Sequence, residues 1–359
     1  MASNPFPFHL LLLIGAFGFS LLFNQVLLQK LHHWGTKGHQ VGQLRWASQS
    51  KPTIGGIAMY VVFVGVCALY AFLARYNIDL VQSNLPLLFA VGTMGFVIGL
   101  MDDLRPVRPI LKLAVQVVCA LLMVAGGVFI SISNSWIVNT FFTLFWVIGI
   151  MNSLNMLDNM DGIAAITTIG ILTCIALVIY LTGGQSGFYA AACFGLIGAV
   201  MGFLWHNRYP SRLFMGDSGS LFLGAVLAML GIVFLWQTPQ SDTDLPLVRQ
   251  FVLPLLVFLL PITDTATVTV HRILRGQSPA VGGRDHTTHH LVYCGLSDGQ
   301  VSIVFVLLSL ILLGFTCYFA PLVLGNAWRQ VYGLFAIGIC LLIFVGIQIA
   351  YLRGKNSRE

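Results

Sequence analysis

Eleven stretches of this chain are apolar over lengths close to the thickness of a bilayer. They run over 6–29, 54–75, 85–101, 111–131, 136–152, 163–182, 187–206, 219–237, 250–271, 300–320 and 329–352. A membrane-crossing helix needs about 20 such residues, whereas a transmembrane strand needs about half that number and alternates. The runs are continuous, so the expected fold class is all-α: a polytopic integral membrane protein with about 11 transmembrane helices. Charge agrees, because only 8% of the 359 residues are charged, against about 25% in a soluble domain. No segment reads as a separate soluble domain, so residues 1–359 are expected to form a single transmembrane catalytic unit. The seven cysteines have spacings that suit neither a disulfide framework nor zinc, and read as small packing residues.

The loops divide by charge. The segments after the odd-numbered runs hold 15 of the 18 lysines and arginines, and the other side holds Arg75, Arg249 and Arg329. The positive-inside rule then puts the C-terminus in the cytoplasm and the N-terminus outside. Asp102, Asp103, Asp158, Asp161, Asp217 and Asp285 fall on the same cytoplasmic side, as do eight of the nine histidines. Carboxylates barely influence topology, so their gathering calls for another cause. A cytoplasmic-face active site is the expectation.

Five constellations carry the chemistry, each with a plainer alternative. GLMDDLRPVR (99–108) ends the third run with Asp102 and Asp103, a pair able to hold a hard cation or take a proton; a solvated turn is the alternative. NSLNMLDNMDG (152–162) places Asn152, Asn155, Asp158 and Asp161 at a spacing of three, which on a helix makes one polar stripe; the alternative is capping of the sixth span by Asn159 or Asp161. FMGDSGS (214–220) opens the eighth run, where free amides suit an anion and Asp217 a cation, or where Asp217 or Ser218 simply caps the helix. Asp264 in PITDT follows Pro254 and Pro261 inside one run, and predicts a kinked helix with an ionisable group; its plainer partner would be His271 or Arg272. GGRDHTTHH (282–290) offers Arg284, His286, His289 and His290 to phosphate oxygens and sugar hydroxyls,. A histidine zinc site and a solvated loop are its alternatives.

The ordered motifs KPTIGG, GLMDDL, NSLNMLDNMDG, HNRYPSRLFMGDSGSL, PITDT and GRDHTTHH, spread across residues 51–290, resemble those of the polyprenyl-phosphate N-acetylhexosamine-1-phosphate transferases. That superfamily includes the bacterial undecaprenyl-phosphate GlcNAc-1-phosphate transferases and the phospho-MurNAc-pentapeptide translocase. The resemblance implies transfer of a sugar-1-phosphate from a UDP-N-acetylhexosamine to undecaprenyl phosphate in a bacterial plasma membrane. UMP is released, and Mg2+, or Mn2+ in its place, is the cofactor. It implies Asp102, Asp103 and Asp217 as catalytic residues, with Asp217, Asn155 and Asp103 as metal ligands. Substrate would be met by Lys51, Asn155, Asp158, Asp161, Asn207, Phe214, Asp264, Arg284, His286, His289 and His290, with Phe214 stacked on uracil and Asp161 bonded to its edge. HTTHH replaces the translocase's three consecutive histidines, and KPTIGG has lysine where the translocase has threonine. The first departure leans towards a GlcNAc donor; the second bears on Lys51 as a substrate ligand. His290 stands where that branch carries arginine. The expected partners are the two substrates and the lipid bilayer; a homodimer is compatible with the sequence, and nucleic acid is not expected. The rivals are the MurNAc-pentapeptide reaction and, from another class, a secondary transporter, which would place its polar groups near mid-membrane.

Overall fold

The computed structural model describes residues 6–30, 51–73, 84–182, 187–236, 247–278, 282–325 and 327–356. The basic residues Lys37, Arg45, Arg75 and Arg358, used above for topology, lie outside them, as do the ends of the second and eighth apolar runs. The described residues are helical, with α1 (Phe6–Lys30), α2 (Gly55–Leu73), α3 (Leu85–Leu104), α4 (Pro109–Ala125), α5 (Trp136–Leu157), α6 (Ile163–Leu181) and α7 (Gly187–Asn207). Then come α8 (Gly216–Gly231), continued by a π-helical turn (Ile232–Trp236), α9 (Leu247–Val257), α10 (Leu259–Leu274), α11 (Thr287–Tyr293), α12 (Asp298–Leu324) and α13 (Gln330–Asn356).

Every expected apolar run contains a helix. Nine of the described helices, the π turn counted with α8, are long and apolar enough to cross a membrane, and the pair α9–α10 makes a tenth if it counts as one span. The pair is bent by 87°, far more than the kink that its prolines predict. Pro254 lies within α9, while Pro261 falls in the first turn of α10, where its missing amide hydrogen removes no intrahelical bond. The helix therefore restarts there in a new direction instead of bending through. The remaining run, 111–131, holds α4, which at 17 residues is shorter than a full span.

The centre of the bundle is α8. Every residue from Ser218 to Gly231 is buried, with α3 and α5 against its sides. Trp146 of α5 donates its indole N–H to the Ala228 carbonyl at 3.1 Å and meets Trp236 and Phe258 edge-on. The peripheral helices instead turn large apolar side chains outward, among them Leu11, Leu22, Ile137, Phe145 and Leu342. Exposure to water would cost about 25 cal/mol for each Å² of such surface; lipid removes that cost. The protein is a multi-pass membrane protein.

Two glycines let α3 and α8 touch at their polar ends. A Cβ on Gly99 would run into the Asp217 carbonyl oxygen, and one on Gly216, whose φ is +76°, would lie 2.5 Å from an Asp103 carboxylate oxygen. Gly65 on α2, in contrast, has open space within 4 Å of where a Cβ would stand. We expect Gly99→Ala to lower the melting temperature in detergent by an overpacking penalty of about 1–3 kcal/mol. Gly65→Ala should be neutral or stabilising, since alanine is the better helix former. Thermal unfolding of both variants checks this, and equal stability would mean the α3–α8 contact is looser than described.

Candidate active site

Adjacent aspartates on a helix point about 100° apart, and the end of α3 uses both directions. Asp103 turns to α8: its carboxylate accepts the amide hydrogens of Asp217 at 3.1 Å and of Ser218 at 2.9 Å. The start of α8 is thus capped from another helix, and neither Asp217 nor Ser218 caps it with its own side chain. The anion bound by these amides is Asp103 itself. Asp102 turns the other way, accepting the Val107 amide hydrogen at 2.7 Å and the ammonium of Lys112 at 3.0 Å. The same ammonium lies 2.5 Å from Asp217. Asp102 and Asp217, from α3 and α8, therefore share one cation carried by α4.

The stretch 152–162 is a junction and not a plain loop. Asn152 and Asn155 lie on α5, which ends at Leu157, so the polar stripe continues as a turn through Asp158 and Asp161. Asn152 exchanges amide hydrogen bonds with Gln116 of α4 at 2.8 and 3.3 Å. Asn155 donates to Ser220 of α8 at 2.9 Å. Asn159 accepts from Thr288 of α11 at 2.7 Å. Gly162, not Asn159 or Asp161, occupies the N-cap of α6, and its amide donates to Asn207 at 2.9 Å. Asp158 caps the end of α5 through its own amide. Asn152, Asn155, Asp158, Asn159 and Asp161 are all partly exposed, while Ser153, Leu154, Leu157 and Met160 are buried. Apart from Ser153, the polar members of the stretch keep partial exposure.

Asp161 joins a second group. It accepts the amide and hydroxyl hydrogens of Ser211 at 2.9 and 2.8 Å, and Lys51 lies 3.6 Å away. Lys51 also donates to the Ser211 hydroxyl at 2.9 Å and sits 5.2 Å from the centre of the Phe214 ring. Backbone bonds hold this group to the start of α2: Phe214 donates to the Pro52 carbonyl, and Gly55 and Gly56 donate to the carbonyls of Phe214 and Met215. Asn207 closes the turn by donating to the Leu213 carbonyl at 2.9 Å.

The loop before α11 is bolted down. Buried Asp264 pairs with His286, not with His271 or Arg272. Its carboxylate is 2.9 Å from His286 Nδ1 and accepts the amide and hydroxyl hydrogens of Thr287 at 2.8 and 2.6 Å. Arg272 grips Asp285 through two bonds of 2.9 and 2.6 Å. The two ends of the histidine segment diverge. His286 and His289 pack edge-on to each other with ring centres 5.4 Å apart. His290 is buried and stacks on Tyr351 of α13 at 3.8 Å. Its ring belongs to the α11–α13 contact. Arg284 is partly exposed, and its carbonyl accepts from the Tyr293 hydroxyl at 3.2 Å. Among the described residues no three His, Cys, Asp or Glu side chains converge as a ready metal cage.

These groups are contiguous because the last turn of α5 and the turn after it touch all of them: α8 through Asn155, α11 through Asn159, and the Lys51–Ser211–Phe214 group through Asp161. All lie at one end of the bundle, at the ends of α3 and α5 and the starts of α4 and α8. Lys112 and Ser211 are the partners that sequence reasoning missed. Lys112 counted there only as a topological charge, although a lysine one residue inside an apolar run was itself a signal.

The family described as glycosyl transferase family 4 matches residues 85–235. Those residues include the ends of α3 and α5 and the start of α8. The chain is 32% identical to a phospho-N-acetylmuramoyl-pentapeptide-transferase of Sulfurimonas denitrificans, over 61% of this chain and 72% of that one. It belongs to this family. It is also 27% identical to a probable undecaprenyl-phosphate N-acetylglucosaminyl 1-phosphate transferase of Bacillus subtilis, over 82% of this chain and 80% of that one. A decaprenyl-phosphate N-acetylglucosaminephosphotransferase of Mycolicibacterium smegmatis is 29% identical over 76% of this chain and 73% of its own. The loop holding Asp285 to His290 lies beyond the matched segment, so its geometry adds to what the family match covers.

Among the described residues outside the spans, Asp285 and His289 carry shifted pKa values. Burial works to raise that of Asp285, and the Arg272 guanidinium outweighs it, leaving the carboxyl below its usual range. Burial, reinforced by the neighbouring His286, pushes His289 from the ordinary 6.5 down to about 3. A base whose folded pKa is depressed contributes stability that is complete above its unfolded value and is lost as pH falls towards the folded one. For His289 that window runs from about 6.5 towards about 3, at a slope of at most about 1.4 kcal/mol per pH unit. Asp285 acts only lower, from its ordinary 3.8 downward. We expect the melting temperature to fall between about pH 7.5 and about pH 5 and His289→Asn to flatten that fall. An unchanged pH slope in the variant would mean that His289 charges freely in the folded protein.

Proposed function

We propose that the protein transfers N-acetylhexosamine-1-phosphate, with GlcNAc the favoured sugar, from a UDP-sugar to undecaprenyl phosphate at the cytoplasmic face of a bacterial plasma membrane. The C-terminus would be cytoplasmic and the N-terminus outside. The observation that carries this is the convergence of Asp102 and Asp217 on one cation, next to a partly exposed aromatic ring flanked by Lys51. That pairing suits a diphosphate attached to a flat base. The relatives bear on it by name: two act on a polyprenyl phosphate with N-acetylglucosamine phosphate.

The assignments follow the geometry. Phe214 would stack on uracil, with Asp161, Lys51 and Ser211 at its edge. Asn207 and Asp158 shape the turn that holds them. Asp217 and Asp102 offer hard carboxylate oxygens suited to Mg2+, with Asn155 of α5 bonded to Ser220 one turn along α8 from Asp217; the metal when bound would screen the negative charge of both substrates. Asp103, with both oxygens on α8 amides, positions Asp217 more than it ligates. His286, held at Nδ1 by Asp264, keeps Nε2 for the donor, and His289 and Arg284 complete that side.

A phosphomonoester has a second pKa of about 6 and is largely dianionic at neutral pH. A strong base is therefore unnecessary. A non-bridging oxygen of the lipid phosphate attacks the donor's β-phosphorus, the bond from that phosphorus to the UMP oxygen breaks, and UMP leaves carrying the electron pair. A transporter would keep its polar groups at mid-depth, whereas here they sit at helix ends.

Radiolabelled UDP-GlcNAc, undecaprenyl phosphate and Mg2+ with purified protein should give lipid-linked label and UMP. A panel of UDP-sugars including UDP-MurNAc-pentapeptide ranks the donors, and label only from the last would overturn the GlcNAc assignment. Asp217→Asn should cost about 10²-fold or more in turnover with the fold intact. Phe214→Leu should raise KM for the UDP-sugar roughly tenfold and leave that for the lipid unchanged. The reverse pattern would put Phe214 on the lipid side.

A further inference from the structure

We propose that Lys112 is a resident counter-ion of the carboxylate pair, which the metal must displace, so that its ammonium is released just where the anionic substrates arrive. The inference rests on the metal part of the function proposed above. The ammonium lies 3.0 Å from Asp102 and 2.5 Å from Asp217, on the oxygens offered to a metal. Asp103 is a third carboxylate at the same place, engaged by the α8 amides. The three negative charges stand on helices whose backbones touch at Gly99, so they cannot move apart to relieve their repulsion. A cation is needed there when no metal is bound, and Lys112 supplies it.

The two cations exclude each other. Mg2+ takes oxygen ligands at about 2.0–2.1 Å, and an ammonium has no lone pair to offer it. An incoming metal therefore expels the ammonium from both carboxylates. The lysine can yield, because its side chain is 23% exposed and stands on a flexible four-carbon stem. Once expelled it needs a new anion, and a phosphate is the only group the reaction brings. Metal alone should thus bind weakly, and metal and nucleotide should tighten each other's binding, a reciprocity that linkage requires.

Mn2+ binding to the purified protein, read by electron paramagnetic resonance with and without UDP, tests this without any turnover. Without nucleotide, Lys112→Met should bind Mn2+ about tenfold more tightly than the wild type, since one competing charge is gone. Lys112→Gln makes the same comparison if the Met variant does not hold its fold. Lys112→Arg keeps the charge and should stay close to wild type. The tightening of Mn2+ by UDP should shrink in the uncharged variants. If these bind Mn2+ no better than wild type, or worse, Lys112 is an organiser of the carboxylates and the inference fails alone. If no form binds Mn2+ even with UDP, the metal assignment fails and takes the inference with it.

Discussion

Asp103 accepts two amide hydrogens from the first turn of α8, and the site depends on that contact. The carboxylate is 4% exposed, so its charge needs partners inside the protein. The first amides of a helix are unpaired and carry the positive end of its dipole. Each need answers the other. Charge-assisted hydrogen bonds of this kind are worth about 1.5–3 kcal/mol, and breaking them would strand both a charge and a helix end. The contact fixes the start of α8 against the end of α3. With Asp103 spent on this anchor, the helical turn directs Asp102 to the opposite side, where it meets Lys112 and Asp217. One aspartate builds the site and its neighbour serves it.

The turn after α5 extends that anchor into a floor. Three side chains separated by short intervals, Asn155, Asn159 and Asp161, reach three different parts of the fold. Over this floor α11 is held by Asp264 from below and by the Arg272–Asp285 pair at its entrance. The histidine segment is therefore a fixed wall. Its inner members, His286 and His289, are separated from His290, which the next helix position turns to Tyr351.

Much of this was legible in the sequence, and the failures have physical causes. Apolar runs of bilayer length mark helices because backbone polar groups have no partner in lipid. The aspartates and asparagines stood out against a chain with so few charges. Partners from distant segments did not. Lys112 hid in an apolar run, and its meaning depends on Asp217, 105 residues away. The motif FMGDSGS read as an anion-binding helix start, but sequence could not show that the anion is a side chain of α3. Asp264 suggested a partner one or two turns along its own helix, whereas the bend at Phe258 and the fold of the loop bring His286 to it. His290 followed its motif in the reading, and the fold stacks its buried ring on Tyr351. Local pattern predicts what an element is. Which side chains meet across elements depends on packing that the pattern does not contain.

On the proposed function, one end of the bundle binds the nucleotide at Phe214 and the diphosphate at the Asp102–Asp217 pair. An experimental density map of the protein with UDP-GlcNAc bound tests it most directly. The account predicts the uracil on the Phe214 ring within reach of Asp161, and the diphosphate against Asp217 with Lys112 drawn off the carboxylates towards phosphate. Nucleotide density elsewhere in the bundle, or at this end with the base away from Phe214, would contradict it.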